Sequence, residues 1–363
     1  MTLIQAFEQV PDYRRPQGKR HSLSCVLVCL VLSALSGNQS WRDHRDFIQR
    51  HWEELIEHLQ PAKKRLPSYS TLRRVLLGIR YNDLSAAFLQ WARQHVPIEE
   101  GEWLAADGKS LRGTLTDVDD AQQNFTAIVS FYAQKRGVVL QSQAYQNKQE
   151  SEVHVLLAML AEAEIEGAGV TADALHCKKT VDAIREAGAH YLISLKPNQP
   201  TLLAAAQRLC ATAEPHSTWE ETERTRDRVT TRKTQVFPVV AQAPFTQWRD
   251  LACIVTVERH GTRAGKPFAH KVHFISSKLL HAKELAGVVR GRWGIENGLH
   301  WTKDVVLKED AYATRAGSAP QNWALLLTLA VTLFRSHGHS SIKSALRRFA
   351  HDIPALFRLI SAE

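Results

Sequence analysis

Cysteine is sparse in this sequence, and its pattern excludes the disulfide framework of a small secreted domain. The 363 residues contain five cysteines, an odd number, and they lack the spacing of a zinc finger. Cys25 and Cys29 lie four positions apart in an apolar stretch, where buried free thiols are expected. The sequence therefore predicts reduced thiols, as in a cytosolic protein. The other three cysteines are Cys177, Cys210 and Cys253.

Long hydrophobic runs are also missing. The apolar run 22–35 covers 14 residues and contains three serines, whereas a membrane-spanning helix needs about 20 apolar residues. Residues 1–5 are polar, so we expect no secretory signal peptide. No internal repeat or low-complexity tract is visible. We therefore expect a cytoplasmic protein without a membrane partner, in which residues 22–35 form a buried helix.

Acidic residues are in the minority, which favours a polyanionic partner. The chain has 46 Lys and Arg against 37 Asp and Glu, a formal net charge of +9. The first 97 residues hold 14 basic and 8 acidic residues, so the N-terminal part is a candidate DNA-contacting module. The length allows two or three domains, and 44% hydrophobic residues suffice for ordinary cores.

Residues 1–97 have the pattern of an all-α N-terminal domain. A predicted helix over 26–35 is followed by further helices, and the last basic one opens at Ser68, a good N-cap residue. That helix carries Arg73 and Arg74, so a short helix, a basic turn and a capped basic helix predict a helix-turn-helix that binds DNA. An amphipathic helix that only faces solvent is an equal alternative.

Residues 98–195 change to strands and helices. Three predicted strands come first, followed by helix, strand, helix and strand, the element order of an RNase H-like α/β fold. In that fold the first and fourth strands are neighbours. Residues 279–363 return to a helical pattern and complete the predicted catalytic core.

Residues 196–278 are predicted to form a β-rich insertion in this core, since 123 positions between Asp173 and Glu296 are too many for one loop. A segment of the insertion alternates charged residues with residues that favour strands. Its Arg228 and Arg232 are candidates for lining a nucleic-acid groove. An exposed, solvated pair of strands explains the same pattern equally well.

Three acids stand in contexts that suit the ligands of a catalytic metal. Asp107 ends the first predicted strand, Asp173 ends the fourth, and Glu296 lies in a strongly helical stretch. Such hard oxygen ligands bind Mg²⁺ or Mn²⁺, and a pair of these ions supports phosphoryl transfer. Taken alone, each aspartate would be a turn or capping residue and the glutamate a solvated helix position. Their order along the chain favours the metal site.

Basic residues accompany Glu296 along its predicted helix. Their spacing of i, i+4, i+8 and i+11 places one acid and three bases on a narrow face. The acid would bind metal while its neighbours contact DNA phosphates. A ladder of ion pairs on a solvated helix is the alternative. The four residues are Arg292, Glu296, His300 and Lys303.

A family resemblance rests on four runs, 107–113, 171–176, 196–199 and 292–301. They resemble successive motifs of the ISAs-type, or H-repeat-associated, DDE transposases of bacterial insertion sequences. The resemblance implies an RNase H-like core with a β insertion, Asp-Asp-Glu metal ligation and cut-and-paste DNA chemistry. Lys109 and Arg112 of the first run become further candidate DNA contacts. The Tyr of the wider superfamily's Tyr-Arg-Glu-Lys pattern is replaced by Val289.

The sequence and the resemblance together predict a Mg²⁺-dependent DNA transposase with two metal ions, for which Mn²⁺ would substitute. It would cut double-stranded DNA at insertion-sequence ends and join it to target DNA, as a homodimer associated with the nucleoid. Two other interpretations stay open. One is a transposase-derived DNA-binding protein without strand transfer, and the other is an RNase H-like nuclease without a joining step.

Overall fold

The computed structural model describes residues 1–116, 123–173, 178–312 and 315–361. They form two compact units. The first comprises Met1–Pro97, Gly108–Val155 and Ile295–Glu363, and the second comprises Ile98–Asp107 and Leu156–Gly294. The helix start expected at Cys177 and the motif residues Ala174, Leu175 and His176 lie outside the described residues. The division into three domains at 97, 195 and 278 stays a prediction.

Six helices make up the N-terminal part of the first unit, as the sequence predicts. Ser22, Ser40 and Ser68 cap three of them, each accepting a hydrogen bond from the backbone amide three residues further on. The helices are α1 (Leu3–Glu8), α2 (Leu23–Leu35), α3 (Trp41–Arg50), α4 (Trp52–Leu59), α5 (Tyr69–Gly78) and α6 (Tyr81–His95).

Helix α2 is buried on every side. All 13 of its residues are buried, including Cys25 and Cys29, which form no disulfide. Among the described residues, one stretch, Pro16–Leu35, is long and apolar enough to span a membrane, and 78% of its apolar window lies inside the protein. Helices α1, α3 and the later α11 (Ala319–Ser336) pack against α2. This is the environment of a core helix, as predicted.

The first unit also contains an antiparallel hairpin of β2 (Thr126–Ala133) and β3 (Val139–Gln146). Gly137 makes the turn between them, with a left-handed φ of 75°. Strand β1 (Trp103–Ser110) contributes its last three residues to this unit. Just beyond it, the Leu111 amide donates a hydrogen bond of 2.9 Å to the Thr126 carbonyl.

The second unit is built on a large mixed sheet. Strand β1 pairs in parallel with β4 (Gly169–Ala172), and β4 pairs in parallel with β5 (His190–Leu195). Helices α7 (Glu152–Glu162) and α8 (Lys178–Glu186) separate these strands along the chain. The predicted order of three strands, helix, strand, helix and strand is therefore observed, and the first and fourth strands are neighbours as expected.

The segment after β5 extends this sheet. Helix α9 (Pro200–Thr212) comes first, and four antiparallel strands follow. The last of them, β9, pairs with β5, giving the strand order β1-β4-β5-β9-β8-β7-β6 in this unit. The strands were predicted, but their continuity with the core sheet was not. They are β6 (Ser217–Thr225), β7 (Arg228–Pro238), β8 (Cys253–Arg263) and β9 (Lys266–Ser276).

The remainder of the chain is helical, as predicted. Helix α10 (Ala282–Arg292) belongs to the second unit. In the first unit, residues 295–300 and 302–306 have π-helical hydrogen bonding. Helix α11 buries every residue from Leu325 to Val331, which confirms the expected core helix. The chain continues with α12 (Ile342–Phe349) and α13 (Ile353–Ser361).

Candidate active site

The two predicted metal-binding aspartates belong to neighbouring parallel strands. Asp173 directly follows β4, as predicted, but Asp107 is the fifth of the eight residues of β1, so the prediction that it ends its strand was wrong. In the β1–β4 register, Trp103 is opposite Gly169 and Ala105 is opposite Thr171. Continued by two positions, this register sets Asp107 opposite Asp173. Strands in a sheet are about 4.8 Å apart, and residues in register point to the same face. This extension of the register predicts that the sheet brings the two half-buried carboxylates together.

Glycine permits the packing that starts strand β4. A Cβ added to Gly169 would lie 2.3 Å from the indole ring of Trp103. The ring therefore covers the backbone at the first paired position, four residues before Asp107. A larger residue at position 169 would push the two strands out of this register.

Cations and a hydroxyl surround Asp173. The Ser194 hydroxyl donates to its Oδ1 at 3.2 Å, and the Lys196 ammonium lies 3.1 Å from the same oxygen. The Arg292 guanidinium is 3.6 Å away. Two positive charges therefore offset the charge of this carboxylate. Arg292 was a predicted site residue, and Lys196 lay in a quoted motif without a role. Ser194, near the end of β5, was not predicted.

Glu296 lies in the π-helical turn of residues 295–300 and is half-buried. It belongs to the first unit, so its convergence with the two aspartates stays a prediction. The regular α-helical face expected for residues 292–303 is not observed, because π-helical turns contain more residues than α-helical turns. Gly298 shapes this segment, since a Cβ there would lie 2.4 Å from the Tyr132 hydroxyl.

Lys109 and Lys303, two candidate DNA contacts, are instead held by buried acids. The Lys109 ammonium lies 2.5 Å from Glu309 Oε2, and the Lys303 ammonium lies 2.8 Å from Glu309 Oε1. Lys303 also donates to the Thr328 hydroxyl at 3.0 Å. The side chains of Lys109, Lys303 and Glu309 are only 10%, 3% and 5% exposed. This burial argues against direct phosphate contacts by either lysine.

The protonation of this buried trio follows from its charges. Burial alone would raise the pKa of Glu309, but Lys303 and Lys109 outweigh burial and lower it. Burial lowers the pKa of Lys303, assisted by the nearby positive charge of Lys109. Burial also disfavours charged Lys109, yet Glu309 and Asp304 raise its pKa on balance. Glu309 is therefore an ionised bridge between two lysines.

A cluster of acidic residues beside Lys109 forms ion pairs with that lysine. Among the described residues, the acids close enough to share a metal ion are Asp304, Glu309 and Asp310, with oxygens within 4.8 Å of one another. The Lys109 ammonium lies 2.7 Å from Asp304 and 3.9 Å from Asp310, in addition to Glu309. The ammonium thus takes the position that a metal cation would need.

His300 does not carry the positive charge expected of a phosphate contact. Burial lowers its pKa to about 3, and the nearby ammoniums of Lys303 and Lys109 act in the same direction. The imidazole is therefore neutral at physiological pH. A contact between His300 and DNA stays a prediction, and a neutral imidazole would make it through a hydrogen bond.

The remaining candidate DNA contacts differ in how free their charges are. Arg73 and Arg74 are exposed on α5, and Arg112 is 86% exposed at 3.8 Å from Asp310. Arg228 lies over the Phe268 ring at 5.3 Å. Arg232 is only 19% exposed and is bound to Glu223 at 2.8 Å, so its charge is largely used within the β6–β7 hairpin.

One acid near Asp107 was not predicted. A Cβ on Gly108 would lie 2.5 Å from Glu152 Oε2, so the carboxylate of this first α7 residue rests against the backbone next to Asp107. The glycine in the Asp-Gly-Lys motif thus has a packing reason. Glu152 was visible in the sequence only as the start of an amphipathic helix.

Two protein-family models match this chain. The transposase DDE domain model matches residues 100–333, and the DDE_Tnp_1-associated model matches residues 4–92. The chain belongs to the transposase DDE domain family. This membership confirms the resemblance drawn from the motifs at Asp107, Asp173 and Glu296.

Related proteins in Escherichia coli extend over nearly the whole chain of this transposase-family protein. In strain K12, the putative protein YbfL and the H repeat-associated putative transposase YhhI are each 26% identical to it, over 95% of this chain and 93% of theirs. The putative transposase YncI of strain O157:H7 is also 26% identical, over 96% of this chain and 90% of its own.

Proposed function

We propose that this protein is a DNA transposase that cuts double-stranded DNA at the ends of its insertion sequence and joins the freed 3′-hydroxyls to target DNA. Membership of the transposase DDE domain family supports this proposal. The observation that carries it is the parallel pairing of β1 with β4, whose register, continued by two positions, sets Asp107 opposite Asp173. We further propose that β1 to β5 form an RNase H-like core and that residues 196–278 are an insertion in it.

The proposed metal ligands are Asp107, Asp173 and Glu296. Their donor set fits Mg²⁺, because it consists of carboxylate oxygens and two of the acids belong to adjacent strands, Asp107 within β1 and Asp173 directly after β4. Asp107, Asp173 and Glu296 would together hold two ions. Two bound Mg²⁺ ions, or Mn²⁺ in their place, supply activation of the attacking oxygen and stabilisation of the leaving oxygen.

Other residues would orient these acids and the DNA. Lys196 and Arg292, beside Asp173, are proposed to hold a phosphate next to that carboxylate. Glu309 and its two lysines would fix the segment that follows Glu296. The candidate contacts to DNA are the exposed Arg73, Arg74 and Arg112 and the half-buried Arg228. We propose that a homodimer acts on DNA in the cytoplasm, at the nucleoid.

The test is a strand-transfer assay on a plasmid that carries the element with its flanking DNA, together with a supercoiled target plasmid and Mg²⁺. The transposase should give products in which element ends are joined to target DNA. Cut ends without joined products would favour an RNase H-like nuclease. Specific binding without cutting would favour a DNA-binding protein derived from a transposase. Either result would overturn the proposal.

A further inference from the structure

A cavity of about 760 Å³ opens in the N-terminal part of the first unit. The segment 13–21 forms one wall, and residues 65–78, which include helix α5 and the segment before it, contribute the other. None of the described residues that line it is acidic. Five arginines line it: Arg14, Arg15, Arg20, Arg65 and Arg74.

One of these arginines builds the wall, and the others supply free charge. Arg14 is 10% exposed and binds Asp12 at 2.8 Å and the His21 carbonyl at 2.8 Å. Its charge is therefore neutralised. The other four are exposed. Within the described ranges, no ion pair joins Arg15, Arg20 or Arg65 to a carboxylate. The cavity thus concentrates uncompensated positive charge.

A buried side chain without a partner faces the same space. His21 lines the cavity and is 6% exposed, and its Nδ1 has no hydrogen-bond partner among the described residues. Burial lowers the pKa of His21, and the charges of Arg14, Arg65 and Arg20 lower it further. The neutral imidazole can therefore form a hydrogen bond with a ligand through Nδ1. That bond would remove the energetic penalty of a buried polar atom without a partner.

The start of α5 adds further groups suited to an anion. Ser68 and Thr71 line the cavity, and Ser68 caps this ten-residue helix. A helix N-terminus carries a partial positive charge. Arg74 lines the cavity, whereas its neighbour Arg73 does not. The cavity therefore distinguishes Arg74 from Arg73, although the sequence alone predicts the same DNA-contacting role for both.

We propose that this cavity binds the phosphodiester backbone of double-stranded DNA, taking consecutive phosphates of one strand. The choice of DNA as the polyanion rests on the proposed transposase function. Several separate guanidiniums spread over 760 Å³ match a chain of phosphates better than one small anion. Guanidinium groups bind phosphate oxygens in bidentate geometry. The site lies far along the chain from the metal-binding acids and would grip DNA without cutting it.

The experiment measures binding of a fluorescent duplex with the element's end sequence, by anisotropy over a series of salt concentrations. The test variant combines Arg15→Ala, Arg20→Ala and Arg65→Ala. The matched control removes three exposed arginines outside the cavity, with Arg42→Ala, Arg50→Ala and Arg347→Ala. Both variants lose the same charge, and circular dichroism confirms that both are folded.

Each lost phosphate contact should flatten the plot of log K against log salt by about 0.9. For three contacts, the slope of the test variant should fall by up to about 2.7. Each contact raises the binding constant roughly fivefold at 0.15 M salt relative to 1 M, so the test variant should bind about 100-fold more weakly near 0.15 M salt. The control should change much less. A test variant that binds like the control, or a wild-type protein that does not bind the duplex, would overturn the inference.

Parallel strand-transfer assays on the wild-type protein separate this inference from the proposed function. Loss of binding in the test variant, without joined products from the wild type, would support the cavity and contradict the transposase proposal. Joined products from the wild type, with unchanged binding in the test variant, would contradict the cavity alone.

Discussion

Replacing Glu309 by Gln should destabilise the first unit by about 3–5 kcal/mol, because it breaks a buried ion pair from one side. Lys303 is 3% exposed and would keep only the Thr328 hydroxyl at 3.0 Å. Its ammonium would then be a buried charge without a carboxylate. Lys109 would lose less, since Asp304 lies 2.7 Å from it.

The reverse change should cost less. Lys303→Met removes a buried charge and leaves Glu309 with Lys109 at 2.5 Å. The double variant should therefore be more stable than Glu309→Gln alone, with a coupling energy of about 1–3 kcal/mol. Glu223→Gln is the matched control, because its partner Arg232 forms a pair in which Glu223 is 43% exposed. That change should cost no more than about 1 kcal/mol.

The assay is urea unfolding of all four variants, monitored by one probe in each unit, because Glu223 lies in the second unit and Glu309 in the first. A Glu309→Gln protein as stable as the Glu223→Gln control would refute the buried network. A double variant destabilised by the sum of the two single changes would show that Lys303 and Glu309 do not interact energetically.

Two further predictions concern packing and pH. Gly298→Ala should destabilise the first unit, because the new Cβ would lie 2.4 Å from the Tyr132 hydroxyl. Adding Tyr132→Phe should recover most of the lost stability. Equal unfolding free energies for the wild type, the single variant and the double variant would contradict this packing. Burial lowers the pKa of both His300 and His44 to about 3 from 6.5, so the unfolded chain binds protons that the folded protein does not. Their contribution to stability is complete above pH 6.5 and is lost as the pH falls towards 3. His300→Gln should therefore reduce the slope of unfolding free energy against pH in that window by up to about 1.4 kcal/mol per pH unit; an unchanged slope would show that His300 titrates normally.

The two strands that carry the aspartates were predictable because they depend on local sequence, although the end of β1 was placed three residues too early. Asp107 and Asp173 each follow a short apolar run, and such runs form the buried central strands of a parallel sheet. The element order of an RNase H-like fold then supplied the expectation that the two strands are neighbours. The register between Trp103 and Gly169 follows from their mutual packing, and no local pattern indicates it.

Residues whose role depends on distant partners were misjudged. Lys303 has the sequence context of an exposed basic helix, yet it is buried by Glu309 and by Thr328, 25 positions further along the chain. The π-helical turn around Glu296 also escaped a prediction that assumed 3.6 residues per turn. The same limit applies to β9, whose pairing with β5 joins strands that are far apart in sequence.

Asp107, Asp173 and Glu296 are the proposed ligands of the metal ions that support DNA cleavage. The most direct test compares cleavage of element-end DNA in Mg²⁺ by Asp107→Asn, Asp173→Asn and Glu296→Gln, with duplex binding measured on the same preparations. Asp46→Asn serves as the control, because that side chain is 73% exposed.

Each of the three variants should lose cleavage and keep DNA binding at least as tight as that of the wild type, because a carboxylate that repels phosphates is removed while the arginines remain. The Asp46→Asn control should cut normally. A Glu296→Gln protein that cuts in Mg²⁺ at nearly the wild-type rate would contradict the proposal that Glu296 binds the catalytic metal.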